Sequence, residues 1–351
     1  MQRIKETIDQ IKPLDEDAMM LAKERLDFLT KPKESLGMLE DLAQKVVGIT
    51  GNIVPKIKDK AIVTMAGDHG VVEEGVSTYP QEVTPQMVYN FIRGGAGINV
   101  LARHIGARVV VVDMGVAVDL EGHQDLINKK VGYGTKNIAR GAAMSYEDAI
   151  KSIEAGIEVF EEELKRVDII GIGDMGIGNT TPSSAIVAAI TGEKAEKVTG
   201  KGTGIDDIVF ENKVKVVKRA LEVNKPDPFD AIDVLAKVGG FEIGGLAGVV
   251  LASARHRTPV VIDGFISSAG ALIASELAPL ARQYMIASHL SAEIGHKIIL
   301  ERMGLRPLFD LRMRLGEGTG AALGMSIVEA GVKILTEMAT YADAGVSEAK
   351  L

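Results

Sequence analysis

The stretch AIVTMAGDHG (61–70) is a continuous apolar run that ends in a Gly-Asp-His loop. Four later runs repeat this pattern, with helical stretches between most of them: RVVVVDM (108–114), DIIGIG (168–173), TPVVIDG (258–264) and QYMIAS (283–288). Apolar runs without polar alternation are typical of parallel strands that are covered on both faces. The sequence therefore predicts an α/β fold with a doubly wound, mainly parallel, Rossmann-like sheet.

Helical periodicity fills the regions around these runs. It predicts helices over residues 85–104, after Thr84 as N-cap, over 145–164 and over 230–238. The first fifty or so residues are also helical in rhythm, and so is the tail over 320–339. We expect this tail to return and pack on the N-terminal helices. Since ligands of open parallel sheets bind at the carboxyl ends of the strands, the site should lie in the loops after the five runs.

Composition argues against several classes of protein. The 351 residues carry 40 Lys and Arg against 48 Asp and Glu, a net charge of −8, without a long basic run, so we expect no nucleic-acid partner. The chain has no cysteine, and hence no disulfide scaffold or thiolate nucleophile. Its charged start (1–17) lacks the apolar core of a secretory signal, and no apolar stretch is long enough to span a membrane. These features predict a cytoplasmic protein that does not bind membranes.

The loop GIGDMGIGNTTP (171–182) contains the GxGxxG pattern of dinucleotide sites. Asp174, however, places a carboxylate where a pyrophosphate would approach, and a carboxylate suits ribose hydroxyls better. Helix start signals follow at Thr180, Thr181 and Pro182, so that free N–H groups and the positive end of the helix dipole are available to one phosphate. A glycine-rich turn without a ligand is the alternative.

A second loop, GKGTG (200–204), leads into a helix that carries Lys213. Backbone amides together with an ammonium group make a phosphate-binding nest. The GxxxxGK[ST] spacing of a P-loop is absent from the sequence, which argues against hydrolysis of a nucleoside triphosphate. For Lys213 alone, a solvated helix face is the alternative.

The segment RLGEGTGAA (314–322) places one glutamate, Glu317, between glycines just before a helix. Small neighbours leave such a side chain open to a ligand, as a general base requires. A helix N-terminus would lower the pKa of this carboxyl group, whereas an apolar pocket that includes Leu315 would raise it. A helix-capping carboxylate is the alternative role.

Asp68 and His69, after the first run, suggest either acid–base chemistry or hydrogen bonds that order the loop. A metal site needs three or four ligands, and the six histidines are scattered without ligand spacing, so we predict no metal. Polar groups also follow the fourth and fifth runs, at Asp263 and from Ser288 to Ser291, where the sheet rule expects ligand contacts.

Five segments together resemble the nicotinate-nucleotide–dimethylbenzimidazole phosphoribosyltransferases: AGDHGVVEEGVS (66–77), GGAGINVLAR (94–103), GDMGIGNTTPSSA (173–185), IDGFISSAGALIA (262–274) and RLGEGTGAAL (314–323). The resemblance covers most of the chain. It implies that ribose 5-phosphate moves from nicotinate mononucleotide to 5,6-dimethylbenzimidazole, which gives α-ribazole 5′-phosphate and nicotinate with inversion at the anomeric carbon. It implies no cofactor.

The resemblance also implies roles for individual residues. Glu317 would be the general base that takes the N–H proton of the benzimidazole. The nucleotide and its phosphate would be bound by Asp174, Gly176, Ile177, Gly178, Asn179, Thr180, Gly202, Thr203, Lys213, Asp263 and Ser291. The benzimidazole would be bound by Ser77, Tyr79, Pro80, Gln86, Met175 and Leu315. Many members of the family carry glutamate where this chain has Asp174, so the carboxylate here is one methylene shorter.

The family further implies a homodimer, with a large α/β domain over residues 59–327 and a small helical domain from residues 1–58 and 328–351. Two alternatives of other classes remain at this point. An NAD-dependent oxidoreductase would explain the GxGxxG pattern, and a non-catalytic nucleotide-binding regulator would explain the glycine loops without a general base.

Overall fold

The computed structural model of this chain describes residues 1–202, 204 and 206–347. Within them, six parallel strands form one sheet in the order β3-β2-β1-β4-β5-β6. The strands are β1 (Lys60–Gly67), β2 (Ala107–Gly115), β3 (Leu126–Asn128), β4 (Ile169–Met175), β5 (Val260–Ile262) and β6 (Met285–Ala287). The predicted α/β class with a doubly wound parallel sheet is confirmed.

Both faces of the sheet are buried, as the continuous apolar runs predict. In β1, Val63 and Met65 belong to the hydrophobic core on one face, whereas Ile62 and Ala66 belong to the core on the other. All four side chains are fully buried. A strand that is apolar at every position therefore stabilises two layers of helices at once.

Helices surround the sheet on both sides. They are α1 (Gln2–Ile8), α2 (Glu16–Asp27), α3 (Met38–Thr50), α4 (Val83–Ile92), α5 (Gly97–Ile105), α6 (Tyr146–Val159), α7 (Thr180–Thr191), α8 (Ala195–Val198), α9 (Asp207–Asn224), α10 (Ala231–Val238), α11 (Phe241–Arg255), α12 (Phe265–Leu277), α13 (Ile294–Met303), α14 (Thr319–Glu337) and α15 (Tyr341–Ala344). Helices α11 and α12 pack on one face of the sheet, and α4, α5 and α14 on the other. No helix in the described ranges is long and apolar enough to cross a bilayer.

Most predicted helices are present, and their caps match the sequence signals. The side chain of Ser145 accepts a hydrogen bond from the Asp148 amide at the start of α6, and Asp230 caps α10 in the same way. The π-helical turn 160–164 follows α6, so the predicted helix over 145–164 is largely confirmed.

The prediction of one helix over residues 85–104 is wrong. The chain forms α4 and α5 instead, and the break falls at Gly94 and Gly95, where Gly94 has a left-handed φ of 77°. A residue in that conformation cannot continue a right-handed helix. Thr84 is also not the N-cap, since it lies inside the first turn of α4.

Strand β3 was missed by the sequence analysis. It contains three residues at the edge of the sheet, none of them fully buried. Such a short, half-exposed segment has no apolar run to reveal it.

The tail of the chain does return to the N-terminal helices. Helix α14 packs on α3 and α2, and Leu335 shares a small core with Leu26 and Val47. Helix α1, by contrast, packs on α6 and α11 beside the sheet. The division into domains of residues 59–327 and 1–58 with 328–351 stays a prediction.

The strand order reverses direction between β1 and β4, which are neighbours at the centre of the sheet. In doubly wound folds this reversal opens a crevice at the carboxyl ends of the strands, where ligands bind. The site is therefore expected beyond Gly67 and Met175.

Candidate active site

A cleft lies at the carboxyl ends of β4, β5 and β6. It encloses about 650 Å³ of space, counting the part that is open to solvent. Its walls come from the loops after these strands, the start of α7, the glycine loop near 202 and the segment before α14. They are formed by Asp174, Met175, Gly176, Ile177, Asn179, Thr180, Gly202, Gly264, Phe265, Ile266, His289, Ser291, Glu293, Arg314, Leu315 and Gly316.

The loop after β4 is tightly packed on the rest of the sheet. A methyl group at Gly176 would lie 2.2 Å from the carbonyl oxygen of Gly67, so only glycine fits at this position. Gly178 has a φ of 86°, which also favours glycine. The amide of Ile177 donates to Thr84 Oγ1 at 3.1 Å, which fixes the loop to α4. Helix α7 starts directly after this loop, with Asn179 rather than Thr180 or Thr181 as its N-cap.

Asp174 lies in the wall of the cleft at the end of β4. Its Oδ2 accepts a hydrogen bond from Asn179 at 2.8 Å. Burial raises the pKa of Asp174 to about 7, and the hydrogen bond from Asn179 opposes that rise. A carboxyl group with this pKa changes its charge readily when a ligand enters.

Lys213 of α9 points into the same wall from behind. Its Nζ donates to Thr180 Oγ1 at 2.7 Å and to the Gly200 carbonyl oxygen at 3.2 Å. Gly202, with a φ of 54°, lies next to the bond between Lys213 and Thr180: a methyl group there would be 3.3 Å from both Lys213 Nζ and Thr180 Oγ1. Burial lowers the pKa of Lys213 to about 8. Thr203, the remaining predicted residue of this loop, lies outside the described residues.

Glu317 is held in a strained turn. Gly316, Glu317 and Gly318 have φ values of 85°, 63° and 96°, so that three consecutive residues are left-handed. Glycine accepts this conformation at no steric cost, whereas for glutamate it costs of order 1–2 kcal/mol. The turn is fixed by Thr64 Oγ1, which donates to the Glu317 carbonyl oxygen at 2.9 Å. Strain of this kind is typical of functional sites.

The carboxylate of Glu317 lies at the N-terminus of α5. Its Oε2 accepts from the amide of Ile98 at 3.0 Å. Burial raises the pKa of Glu317, and the amides of Ile98 and Gly97 oppose that rise. Both effects that the sequence analysis weighed are present, and burial is the larger. Leu315 lies beside the carboxylate, because a methyl group at Gly97 would touch both side chains. The surface of Leu315 is 61% exposed.

Asp263 lies under this turn rather than in the cleft. Its carboxylate accepts from the amides of Gly318, Gly320 and Ala321 at 3.1, 2.6 and 3.2 Å, and so caps α14. Burial raises the pKa of Asp263 to about 8. In this structure Asp263 supports the Glu317 turn and is not among the residues that line the cleft, and its predicted contact with the nucleotide stays a prediction.

Ser291 lies in the cleft wall after β6, next to His289. Its Oγ donates to the Met313 carbonyl oxygen at 3.3 Å. The amide of Ser291 donates to Nδ1 of the buried His296 at 2.9 Å. Ser291 is therefore fixed between β6 and the segment that leads to Glu317.

Four predicted base-binding residues do not line the cleft. Ser77, Tyr79 and Pro80 lie in the loop before α4, where Tyr79 is 49% exposed, and Gln86 lies on the exposed side of α4. Met175 and Leu315, the other two of this group, do line it. The structure thus brings together the predicted nucleotide wall and Leu315, but leaves the Ser77–Pro80 loop on the surface.

Three ionisable residues of the cleft were not assigned a role from the sequence. Arg314 donates to the Gly202 carbonyl oxygen at 3.2 Å, so it bridges the phosphate loop and the Glu317 segment. Glu293 is buried, and its Oε2 has no hydrogen-bond partner among the described residues. His289 was noted only as a polar residue after the fifth run. Arg314 directly precedes the Leu315-Gly316-Glu317 motif, and this adjacency was the available signal.

Asp68 and His69 lie behind the cleft, in the interior. His69 Nε2 is 2.8 Å from Glu242 Oε1, and both residues are almost fully buried. Asp68 Oδ2 accepts from the Ala117 amide at 2.8 Å. These bonds order the loops, which is the second of the two roles that the sequence suggests for Asp68 and His69. In the described ranges, no cluster of three or more histidine or acidic side chains is placed to hold a metal ion.

Comparison with known proteins places the whole chain beside one family of enzymes. A family model described as "Phosphoribosyltransferase" matches residues 11–346. A protein of Desulforudis audaxviator named nicotinate-nucleotide–dimethylbenzimidazole phosphoribosyltransferase is 61% identical over 351 residues, which are 100% of this chain and 99% of that protein. A protein of Geotalea uraniireducens with the same name is 56% identical over 349 residues, 99% of each chain.

This chain belongs to that phosphoribosyltransferase family. The fold agrees as well: the crystal structure of the Thermus thermophilus enzyme of the same name matches with a TM-score of 0.91 at 43% identity, over 96% of this chain and all of that one. The chain is thus a phosphoribosyltransferase, an enzyme of the pentosyl-transferring class. Membership of this family decides against the oxidoreductase and the non-catalytic regulator.

Proposed function

We propose that this enzyme transfers the 5-phosphoribosyl group of nicotinate mononucleotide to 5,6-dimethylbenzimidazole. The products are α-ribazole 5′-phosphate and nicotinate, with inversion at the anomeric carbon. The observation that carries the proposal is that one segment of chain joins a wall suited to binding phosphate to the buried carboxylate of Glu317. Family members with this reaction in their names support the choice of substrates.

The phosphate is assigned to the wall of Lys213, Gly202 and the start of α7. An ammonium group and the free amides at a helix N-terminus both attract an anion. The two hydrogen bonds of Lys213 leave its third N–H available to a phosphate oxygen. Arg314, which contacts Gly202, adds a second positive charge at the mouth. The remaining predicted nucleotide contacts, Thr203 and Asp263 among them, stay predictions.

The benzimidazole is assigned to the side of Leu315 and Met175. One face of a flat apolar ring would cover the exposed Leu315, with its N–H edge toward Glu317. Because burial raises the pKa of Glu317 above that of a solvated glutamate, the carboxylate is a stronger base than it would be in water. Contacts with Ser77, Tyr79, Pro80 and Gln86 stay predictions, and they would require the loop before α4 to close over the ring.

In the reaction, one nitrogen of the benzimidazole attacks the anomeric carbon of the ribose. Glu317 takes the proton from the other nitrogen, and the pair of electrons of the broken C–N bond leaves with the pyridine ring as nicotinate. Attack opposite to the leaving group inverts the anomeric carbon. The transition state has positive charge on the ribose, and the nearby carboxyl group of Asp174 stabilises that charge when ionised.

The test is an assay of nicotinate release from nicotinate mononucleotide, with and without a panel of candidate bases. We expect release only when an acceptor is present, with 5,6-dimethylbenzimidazole among the best substrates and α-ribazole 5′-phosphate as the product. Release that does not depend on an acceptor would show a hydrolase instead. If a purine or a phenol is the best acceptor, the acceptor assigned here is wrong, but the reaction is still a phosphoribosyl transfer.

A homodimer and a cytoplasmic location also stay predictions. Both derive from the family resemblance and the composition, and sedimentation of the purified protein tests the first of them. A monomer at micromolar concentration would contradict the dimer.

A further inference from the structure

The ring of His289 is fixed in the wall of the cleft. The residue follows β6, and only 3% of its surface is exposed. Its ring stacks on Phe309 with the planes 19° apart and the centroids separated by 6.0 Å. Packing of this kind holds the ring in one orientation, so that its two nitrogens face different partners.

The hydrogen bonds of Ser288 determine which nitrogen carries the proton. Ser288 Oγ lies 2.6 Å from the carbonyl oxygen of Ile262, which can only accept, so the single hydroxyl hydrogen is used there. The same Oγ lies 3.2 Å from His289 Nδ1. Since the hydroxyl has no second hydrogen, Nδ1 must be the donor in this contact. In the neutral ring, Nε2 therefore carries a lone pair and acts as an acceptor.

Burial keeps the ring neutral. It lowers the pKa of His289 to about 4, well below the pH of the cell. Asp263 Oδ1 lies 3.9 Å from Nδ1, which is beyond hydrogen-bond distance, so Ser288 is the partner of that nitrogen. The histidine thus presents no positive charge to the cleft, and it cannot serve as an anion-binding group there.

The Nε2 edge of the ring faces the cleft. A methyl group at Gly264 would lie 3.7 Å from His289 Nε2 and 3.8 Å from Ser291 Oγ, and all three residues line the cleft. Ser291 Oγ is already bonded to the Met313 carbonyl oxygen and the Glu293 amide. In the part of the chain that the structure describes, no donor bonds to His289 Nε2.

We propose that His289 Nε2 accepts a hydrogen bond from a ribose hydroxyl of the nucleotide substrate. This inference rests on the proposed function, because the chemistry of nicotinate mononucleotide leaves one class of donor. Its phosphate and carboxylate are anionic acceptors, and its pyridinium nitrogen carries no hydrogen. Only the 2′- and 3′-hydroxyl groups can donate to a lone pair.

His289 would then make the enzyme selective for ribose over deoxyribose. A buried acceptor that loses its only donor is costly, and sites built to bind a hydroxyl group reject analogues that lack it. The loss for one such bond is about ten- to a hundredfold in kcat/KM. It should affect one of the two deoxy analogues, depending on which hydroxyl bonds to Nε2.

Two variants distinguish the role of His289 Nε2 as an acceptor from the contact between His289 Nδ1 and Ser288. In His289→Asn the side-chain amide reaches the position of Nδ1, so it keeps a donor toward Ser288 but has no acceptor at the position of Nε2. In His289→Gln the amide reaches the position of Nε2 and restores an acceptor there. Melting temperatures of both proteins serve as the control for folding.

The experiment measures kcat/KM and calorimetric Kd for nicotinate mononucleotide and its 2′-deoxy and 3′-deoxy analogues. We expect wild type to disfavour one analogue about ten- to a hundredfold. His289→Asn should lose that preference, because it becomes worse with the ribonucleotide and with the deoxy analogue that keeps the bonding hydroxyl, but not with the analogue that lacks it. His289→Gln should regain part of the preference. Equal losses by His289→Asn with all three nucleotides would overturn the proposal, because they indicate a structural role.

The binding measurements also separate this proposal from the proposed function. If wild type binds the mononucleotide but transfers nothing, the reaction is wrong, and the comparison of Kd values still decides the role of His289. If wild type binds both deoxy analogues as well as the ribonucleotide, the reaction can stand while the role of His289 is refuted.

Discussion

Replacement of Glu317 by glutamine tests the centre of the mechanism. Glutamine has the size of glutamate, and its carbonyl oxygen can still accept from the Ile98 amide, which now bonds to Oε2 at 3.0 Å. The left-handed turn should therefore persist. Glutamine cannot, however, take a proton from an incoming heterocycle at neutral pH.

The expected loss follows from that one missing proton transfer. A positioned general base contributes about 10²- to 10⁴-fold, so kcat should fall by that factor, which corresponds to about 3–5 kcal/mol of barrier. The fold should not suffer. Because burial already raises the pKa of Glu317, the charged form is disfavoured in the interior, and a neutral side chain should leave the free energy of unfolding within about 1 kcal/mol.

The assay is steady-state release of nicotinate, with KM for each substrate and the pH profile of kcat/KM. Wild-type kcat/KM should rise as the pH passes through the raised pKa of Glu317, since the base must be deprotonated. In Glu317→Gln this rise of kcat/KM with pH should be absent. Glu121→Gln, at an exposed position, is the matched control. Wild-type turnover in a correctly folded Glu317→Gln protein would refute the general-base role.

Three further changes test other parts of the site. Lys213→Ala should raise the Kd for nicotinate mononucleotide about ten- to a hundredfold. The affinity of wild type, measured by calorimetry, should fall above about pH 8 as the ammonium group of Lys213 loses its proton, and the affinity of the variant should not show that fall. Gly318→Ala should lower the free energy of unfolding in urea by about 2–4 kcal/mol, because φ is 96° and the methyl group would lie 2.6 Å from Ile62 Cγ2. The control is Gly106→Ala, which should cost only about 1 kcal/mol, since φ is 69° but no atom lies within 4 Å of the methyl group. Equal costs for the two variants would contradict the packing argument. Leu315→Ala should change that free energy by less than about 0.5 kcal/mol, since the side chain is 61% exposed, yet raise KM for the benzimidazole severalfold; an unchanged KM would remove Leu315 from the base site.

The sheet was predictable because its strands are apolar at consecutive positions. The run from Ala61 to Ala66 is buried on both faces, and no helix-like or alternating pattern competes with that interpretation. The edge strand Leu126–Asn128 has no such pattern, so it could not be found. The break between α4 and α5 was visible as Gly94-Gly95, but apolar periodicity on both sides concealed it.

The candidate site was predictable where a loop carries its own chemistry. Glycine loops with Asp174 and Glu317 indicate ligand contacts by composition alone. Contacts between distant segments were not predictable: the amide that binds Glu317 belongs to Ile98, and the donors that bind Asp263 lie in the segment directly after Glu317. Such partners depend on tertiary packing, and the periodicity of a local segment contains no information about it.

The bond between Asp263 and the start of α14 has a consequence for the order in which the enzyme becomes competent during synthesis. The three amides come 55, 57 and 58 residues after the carboxylate that accepts from them. A nascent chain that has emerged only as far as β6 holds this carboxyl group without its donors and lacks Glu317, the proposed general base. The Asp263 carboxylate thus gains its donors only after the chain beyond Ala321 has been made and α14 has docked, and a shorter ribosome-bound fragment cannot assemble the Glu317 turn.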